Sequence, residues 1–360
     1  MKTLILTCLL LSVSVSAGAF AQARGREEKK QEEKKEEKKE SRTREETKNR
    51  DDRNDRRDSD RDRDQGRDII ILTDPFPRWP GPFPRWPDRD YGRLRMPRLT
   101  FARDGVGLCA IGEGGEASEV LRRNITVGAQ SPARAPRKGR LAYVAPVANQ
   151  LTLFTVGENL TRSHQLTNPK WGDADLPAWA PDDNSLVFVS HRDNNNELYV
   201  IEAGGGTPRR LTQHLGNDTQ PTWSPRGGWI VFVSDRGGQP ALWRIPAKGG
   251  DAIALEGCPV GLPSDPTFSP DGRFIVASFE DAPGKRHLWK IDLNMKEEPR
   301  RLTSEPGDYH HPAFRPDGGK LAMSVRTQSG NFALALLDFS ANGLQQLTSG
   351  TLSDHRPVWW

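Results

Sequence analysis

Short apolar runs separated by proline, glycine and aspartate recur from about Leu99 to the C-terminus. SLVFVS from Ser185 and WIVFVS from Trp229 are almost continuously apolar, the pattern of strands covered on both faces. ELYVIE from Glu197, ALWRIP from Ala241 and HLWKID from His287 alternate as strands do. Aligned on one proline, PRKGRLAYVA (Pro136), PDDNSLVFVS (Pro181), PRGGWIVFVS (Pro225), PDGRFIVASF (Pro270) and PDGGKLAMSV (Pro316) lie 45, 44, 45 and 46 residues apart. A period of this size marks propeller blades, four-stranded units that cannot bury their faces alone.

Within each repeat a short inner strand comes first: PAWA at Pro177, PTWS at Pro221, PTFS at Pro266 and PAFR at Pro312. Its aromatic residue, Trp179, Trp223, Phe268 or Phe314, is expected to pack between neighbouring blades. Pro-Asp-Gly or a variant then makes a tight turn, proline fixing φ and glycine accepting positive φ. The outer strand is RRLT at Arg209 and again at Arg300. Complete blades span about 132–176, 177–220, 221–265, 266–311 and 312–354, which leaves a lone inner strand, His355 to Trp360. Residues 105–130 hold three candidate strands, VGLCAI, SEVL and NITV, without a convincing inner one. The ends complement each other, so six blades are predicted, the last closed by the C-terminal strand joining N-terminal strands. In this phase Phe101 matters less than the C-terminal strand. The rival inner strand is Leu99 to Phe101, ahead of Arg103-Asp104-Gly105, which leaves the C-terminal tryptophans hanging free.

The order P-x-W-S-P-D-G, an apolar strand ending in Ser, L-Y/W-V-x-D and R-L-T resembles the TolB-type propeller repeat, a relative of the WD-repeat family. It covers roughly residues 97–360 and implies an all-β, six-bladed propeller of four-stranded blades. The mixed α/β domain that precedes the propeller in TolB has no counterpart in residues 24–96. The same repeat serves periplasmic scaffolds, peptidase accessory domains and some polysaccharide lyases, so it speaks to fold more than to function.

The N-terminal part is organised differently. Met1 and Lys2, the apolar run Leu4 to Val15 and the Ala-x-Ala sites ending at Ala21 and Ala23 make residues 1–23 a signal peptide, which predicts a periplasmic or secreted protein. No later run reaches eighteen apolar residues, so no membrane span is expected. Residues 24–68 are Glu/Lys blocks followed by Arg/Asp alternation, without core formers, and read as a disordered charged segment. The formal net charge of +4 carries little weight, because these opposite charges nearly cancel, and a nucleic-acid arm is not expected. Residues 69–96 form a linker containing PFPRWPGPFPRWPD, an imperfect doublet that proline holds near polyproline II geometry. Phe76, Trp79, Phe83 and Trp86 on it either pack back on the propeller, the favoured reading, or dock in a partner's aromatic groove. Cys8 falls in the signal, and Cys109 and Cys258 are too few for a disulfide scaffold.

No serine-nucleophile elbow, HExxH helix, P-loop or paired-carboxylate motif occurs in the repeats. The only constellation is a set of polar residues just ahead of the inner strands: Asp175, Thr219, Ser264 with Asp265, His310 with His311, and His355. Inner strands line the central channel, so these side chains are candidates for a binding site at its mouth. The leading expectation is an exported, monomeric, non-enzymatic scaffold that needs no cofactor and binds an envelope protein or cell-wall component. The alternative is a metal-dependent carbohydrate-active enzyme of polysaccharide-lyase type, since some TolB-like lyases hold a divalent metal in the channel. Its ligands here would be His310, His355 and Asp175.

Overall fold

The protein's computed structural model describes residues 98–359, apart from 116–117, 122–123, 158–159, 161, 304–306 and 342. The expected signal peptide, the charged segment and the Pro/Trp-rich linker lie outside the described residues, as does Trp360. Six four-stranded antiparallel sheets form a six-bladed propeller. Blades one to five take residues 130–165, 174–210, 218–254, 262–301 and 309–346. The closing blade combines strands of residues 98–120 with the C-terminal strand Asp354–Trp359.

The repeated residues explain the blades. Second strands are buried along almost their whole length: Leu186 to Val189, Ile230 to Val233 and Ile275 to Ala277 lose their solvent to neighbouring sheets. The inner-strand aromatics sit between blades, as the repeat implies. Trp179 donates its indole N–H to the Ala133 carbonyl of the preceding blade (3.1 Å), and Phe314 meets Phe274 edge-on at 5.8 Å. The R-L-T motif also acquires a reason. Thr167, Thr212 and Thr303 are buried and Thr348 half-buried beside the outer strands, where each hydroxyl accepts from a third-strand amide at 2.9 to 3.1 Å. At the Pro270 turn, Gly272 adopts φ +68°, and its amide donates to the Ser269 carbonyl at 2.8 Å.

Ring closure by the C-terminal strand is present: Leu99 pairs with Trp359 and Arg103 with Asp354. The strands it joins are shifted by one from the expected set. Arg98–Arg103 takes the second position, Gly107–Gly112 the third and Glu119–Val120 the outer one. Thus Leu99 to Phe101 is neither spare nor innermost. Leu99 and Phe101 are completely buried, so this segment takes the place beside the C-terminal strand that VGLCAI was expected to fill, and the NITV segment is left out of the sheet. There Asn124 and Gly128 adopt φ +54° and +75°, which extended pairing does not tolerate. Inner strands also begin earlier than expected, at Ala174, Asp218, Leu262, Tyr309 and Asp354. The polar residues anticipated ahead of them therefore lie within them.

Cys109 is a buried free thiol in the closing blade and Cys258 a half-buried one after blade three, their separation matching the blade order.

Candidate functional site

All six innermost ladders slip at one place, just before the inner-strand proline. The residue ahead of that proline is Ser131, Leu176, Gln220, Asp265, His311 or Arg356, and each has φ between 46° and 52°. The following proline disfavours the right-handed region and has no amide to lose, so a slip there leaves no ladder donor orphaned. The left-handed conformation costs a residue with a Cβ about 1 to 2 kcal/mol.

These bulges bring side chains of different blades together. The Asp265 carboxylate accepts from Gln220 Nε2 at 3.1 Å and from the His311 amide at 3.4 Å, while Gln220 Oε1 accepts from the Asp265 amide at 3.0 Å. His311 Nε2, Arg356 Nη1 and His310 Nδ1 stand 3.7, 3.8 and 3.9 Å from the same carboxylate. Blades three, four, five and closing thus meet at Asp265, an arrangement available only on the channel side.

Of the residues singled out from sequence, Asp265, His310, His311 and His355 converge. His311 and His355 meet edge-on at 5.9 Å, and Phe332 packs on both His310 and His355, with ring centroids at 5.1 and 5.0 Å. His310 Nε2 lies 2.7 Å from Asp308 Oδ1, and His355 Nε2 lies 3.4 Å from Asp104 Oδ2. The Asp175 carboxylate accepts from the Leu176 amide at 2.7 Å, and Thr219 pairs with Val233 in the ladder of blade three. Ser264 is placed beside Arg286 Nη1 at 3.3 Å. Among the described residues no group of three His, Cys, Asp or Glu side chains is placed to hold a metal ion, so the set His310, His355 and Asp175 is not assembled as one.

A model of the TolB beta propeller domain matches residues 113–297. The chain belongs to the TolB β-propeller family. Among solved structures, TolB from Acinetobacter baumannii is similar with a TM-score of 0.63 at 22% identity, over 73% of this chain and 66% of that one. The chain thus spans just under two thirds of that structure's length. A putative TolB from Agrobacterium tumefaciens gives 0.55 at 15% identity, covering 75% and 99%. A nidogen/laminin complex gives 0.59 at 9%, covering 73% and 98%. At these identities the likeness is one of fold.

In this TolB-family propeller the mouth carries a second pattern that the sequence reading missed. A carboxylate at or before the inner strand is clasped by an arginine from the end of the second strand. Asp354 takes Arg103 Nε and Nη2 at 2.6 and 3.0 Å; Asp218 takes Arg236 Nη2 and Ser234 Oγ, both at 2.6 Å; Asp308 takes Arg326 Nε at 3.0 Å. The signal was available as Arg two residues after a strand's last buried serine, Ser234-Asp235-Arg236 and Ser324-Val325-Arg326, facing Asp218 and Asp308 upstream. Gln220 and Arg356 were missed too, although each directly precedes an inner-strand proline.

The electrostatics follow from burial. Desolvation pushes His311 down to about 3, against the pull of Asp265, and Arg356 pushes the same way as burial. Burial also lowers His310, opposed by Asp308 and Asp265. Burial acts to raise the Asp265 carboxyl, but His311, Arg356 and His310 outweigh it and the net shift is downward. At neutral pH the Asp265 carboxylate therefore stands charged beside the neutral imidazoles of His310 and His311 and the Arg356 guanidinium.

Proposed function

We propose that the chain is an exported, non-enzymatic scaffold that binds a protein or cell-envelope component on the face where its inner strands begin. One observation carries this reading. On that face the loops leading into inner strands expose Val127, Leu215 and Val260 at 89, 97 and 94%, with Leu352, Leu262 and Val106 also exposed around the same mouth. Apolar side chains left in water on several blades around one polar centre mark an interaction surface rather than scatter. The nidogen/laminin complex is a precedent for a propeller of similar fold in a protein assembly. The residues of the carbohydrate-active alternative are engaged separately with Asp308, Asp104 and the Leu176 amide, and no observation favours it. A photo-crosslinking residue at Leu215 is expected to capture a partner in the native envelope, while one at Met295, exposed on the opposite face, is not. Equal capture at both positions, or none at Leu215, refutes the docking face.

A further inference from the structure

Resting on that docking face, we propose that its partner presents an acidic segment to the channel mouth. The observation is an asymmetry of burial within the mouth's ion pairs. Arg326 is 51% exposed and its partner Asp308 11%; Arg356 is 31% exposed and Asp265 6%. The carboxylates of Asp354 and Asp218 are fully buried under Arg103 and Arg236, which keep part of their surface. A partner approaching this mouth therefore meets guanidinium groups, with the neutralising carboxylates hidden beneath them. Among the described pairs of this face, Arg286 with Glu280, Arg210 with Asp193 and Arg301 with Asp281 are exposed more evenly, and His355 with Asp104 reverses the pattern, with the carboxylate the more exposed partner.

The guanidiniums are also held in place. Arg103 lies over the Phe101 ring at 5.2 Å, Arg236 over Phe232 and Trp243 at 5.2 and 5.1 Å, and Arg326 over Phe332 at 5.0 Å. A stacked guanidinium clasped by a carboxylate keeps unused N–H donors in a fixed plane, suited to a second carboxylate. Among the described residues Arg356 has its 3.8 Å approach to Asp265, beyond hydrogen-bond distance, so its donors are the least committed. Glu256 is exposed in the loop that carries Val260, while other acids further out on the same face are engaged elsewhere. Asp193 bonds Tyr199 and pairs with Arg210, Asp235 accepts from Asn217, Asp281 pairs with Arg301 and Asp104 with His355. A basic or neutral segment would leave the exposed donors unanswered, whereas glutamate or aspartate side chains fit them in charge and geometry.

The test uses the full chain and a rhodamine-labelled deca-glutamate peptide, followed by fluorescence anisotropy at low salt, with deca-lysine as counter-probe. Saturable deca-glutamate binding is expected, weakened at least fivefold by Arg326→Gln with Arg356→Gln. Arg137→Gln with Lys138→Gln, the same loss of charge at exposed positions on the opposite face, should change it less than twofold. Arg326→Gln alone, at the half-exposed position, should weaken it at least twofold and stands in if the double variant melts early. Equal weakening by both double variants, equal binding of deca-lysine, or no deca-glutamate binding overturns the proposal. Crosslinking at Leu215 together with failure of deca-glutamate would refute the acidic partner and leave the docking face standing. The reverse pair of results would refute the docking face alone.

Discussion

Trp359→Ala is the sharpest probe of how the ring closes. Trp359 is almost fully buried in one cluster with Leu99, Phe101, Leu334, Leu336 and Leu347, so it ties the closing blade to blade five. Its indole N–H donates to the Ala313 carbonyl at 2.9 Å, and its own carbonyl accepts from Arg134 Nη1 at 3.2 Å, reaching blade one. Emptying that volume is expected to cost about 3 to 5 kcal/mol, the orphaned Ala313 carbonyl included. Net stability for such a domain is about 5 to 15 kcal/mol, so the variant should lose a large share of it. Phe101→Ala should cost a similar amount, about 3 to 5 kcal/mol, because Phe101 is completely buried in the same cluster. Deleting residues 354–360 should be worse than either, since it also strips the Arg103 clasp and bares the edge of Arg98–Arg103. Urea unfolding of the full chain by circular dichroism gives the free energies. A loss below about 1 kcal/mol for Trp359→Ala beside a severe Phe101→Ala would mean that the N-terminal strands close the ring unaided, and would refute the reasoning.

Acidification should destabilise the propeller before its carboxylates titrate. His311 has its pKa held at about 3, so below the ordinary histidine value the unfolded chain binds a proton that the folded one does not, and stability falls as pH drops from about 6.5 towards 3. The loss at pH 5 from this group is about 2 kcal/mol, and His311→Gln should flatten the difference between urea melts at pH 7 and pH 5; an unchanged difference would count against it. Ser131, with φ 46°, should accept glycine with an unchanged or higher Tm, whereas Ser131→Val should cost about 1 to 3 kcal/mol. Equal Tm values for the two variants would show that the left-handed bulge is not strained.

The repeat made the blades legible because strand burial, turn chemistry and the outer-strand threonine recur in register. Trp179, Phe268 and the Pro-Asp-Gly turns could be assigned without coordinates. The closing blade was legible only in part, because its strands come from both ends of the chain and no periodic partner marks their phase. Leu99 and Phe101 looked expendable while VGLCAI looked like a second strand; complete burial of the former decides the matter, and burial is a tertiary property. At the mouth, the histidines stood out by type, whereas Gln220 and Arg356 look unremarkable in one dimension. Their importance comes from a left-handed bulge shared by six pre-proline positions, and nothing in the local residues of Leu176 or Arg356 announces positive φ.

That bulge separates what belongs to the fold from what belongs to the site. Six such residues at about 1 to 2 kcal/mol each represent a cost comparable to the net stability of the domain. Because Ser131 and Leu176 adopt the conformation as fully as Asp265 and His311 do, the strain is a property of the blade, present whether or not its side chain has a task. The choice of side chain differs around the ring. Blades one and two place Ser131 and Leu176 at the bulge, while blades three, four, five and closing place Gln220, Asp265, His311 and Arg356, all within one polar network. The network joined at Asp265 therefore occupies one side of the mouth, and the exposed guanidiniums of Arg326 and Arg356 lie on that side. A sixfold repeat with identical bulges would offer a partner six equivalent orientations. The lopsided network offers one, so a partner engaging it should bind with a single register and one copy per propeller.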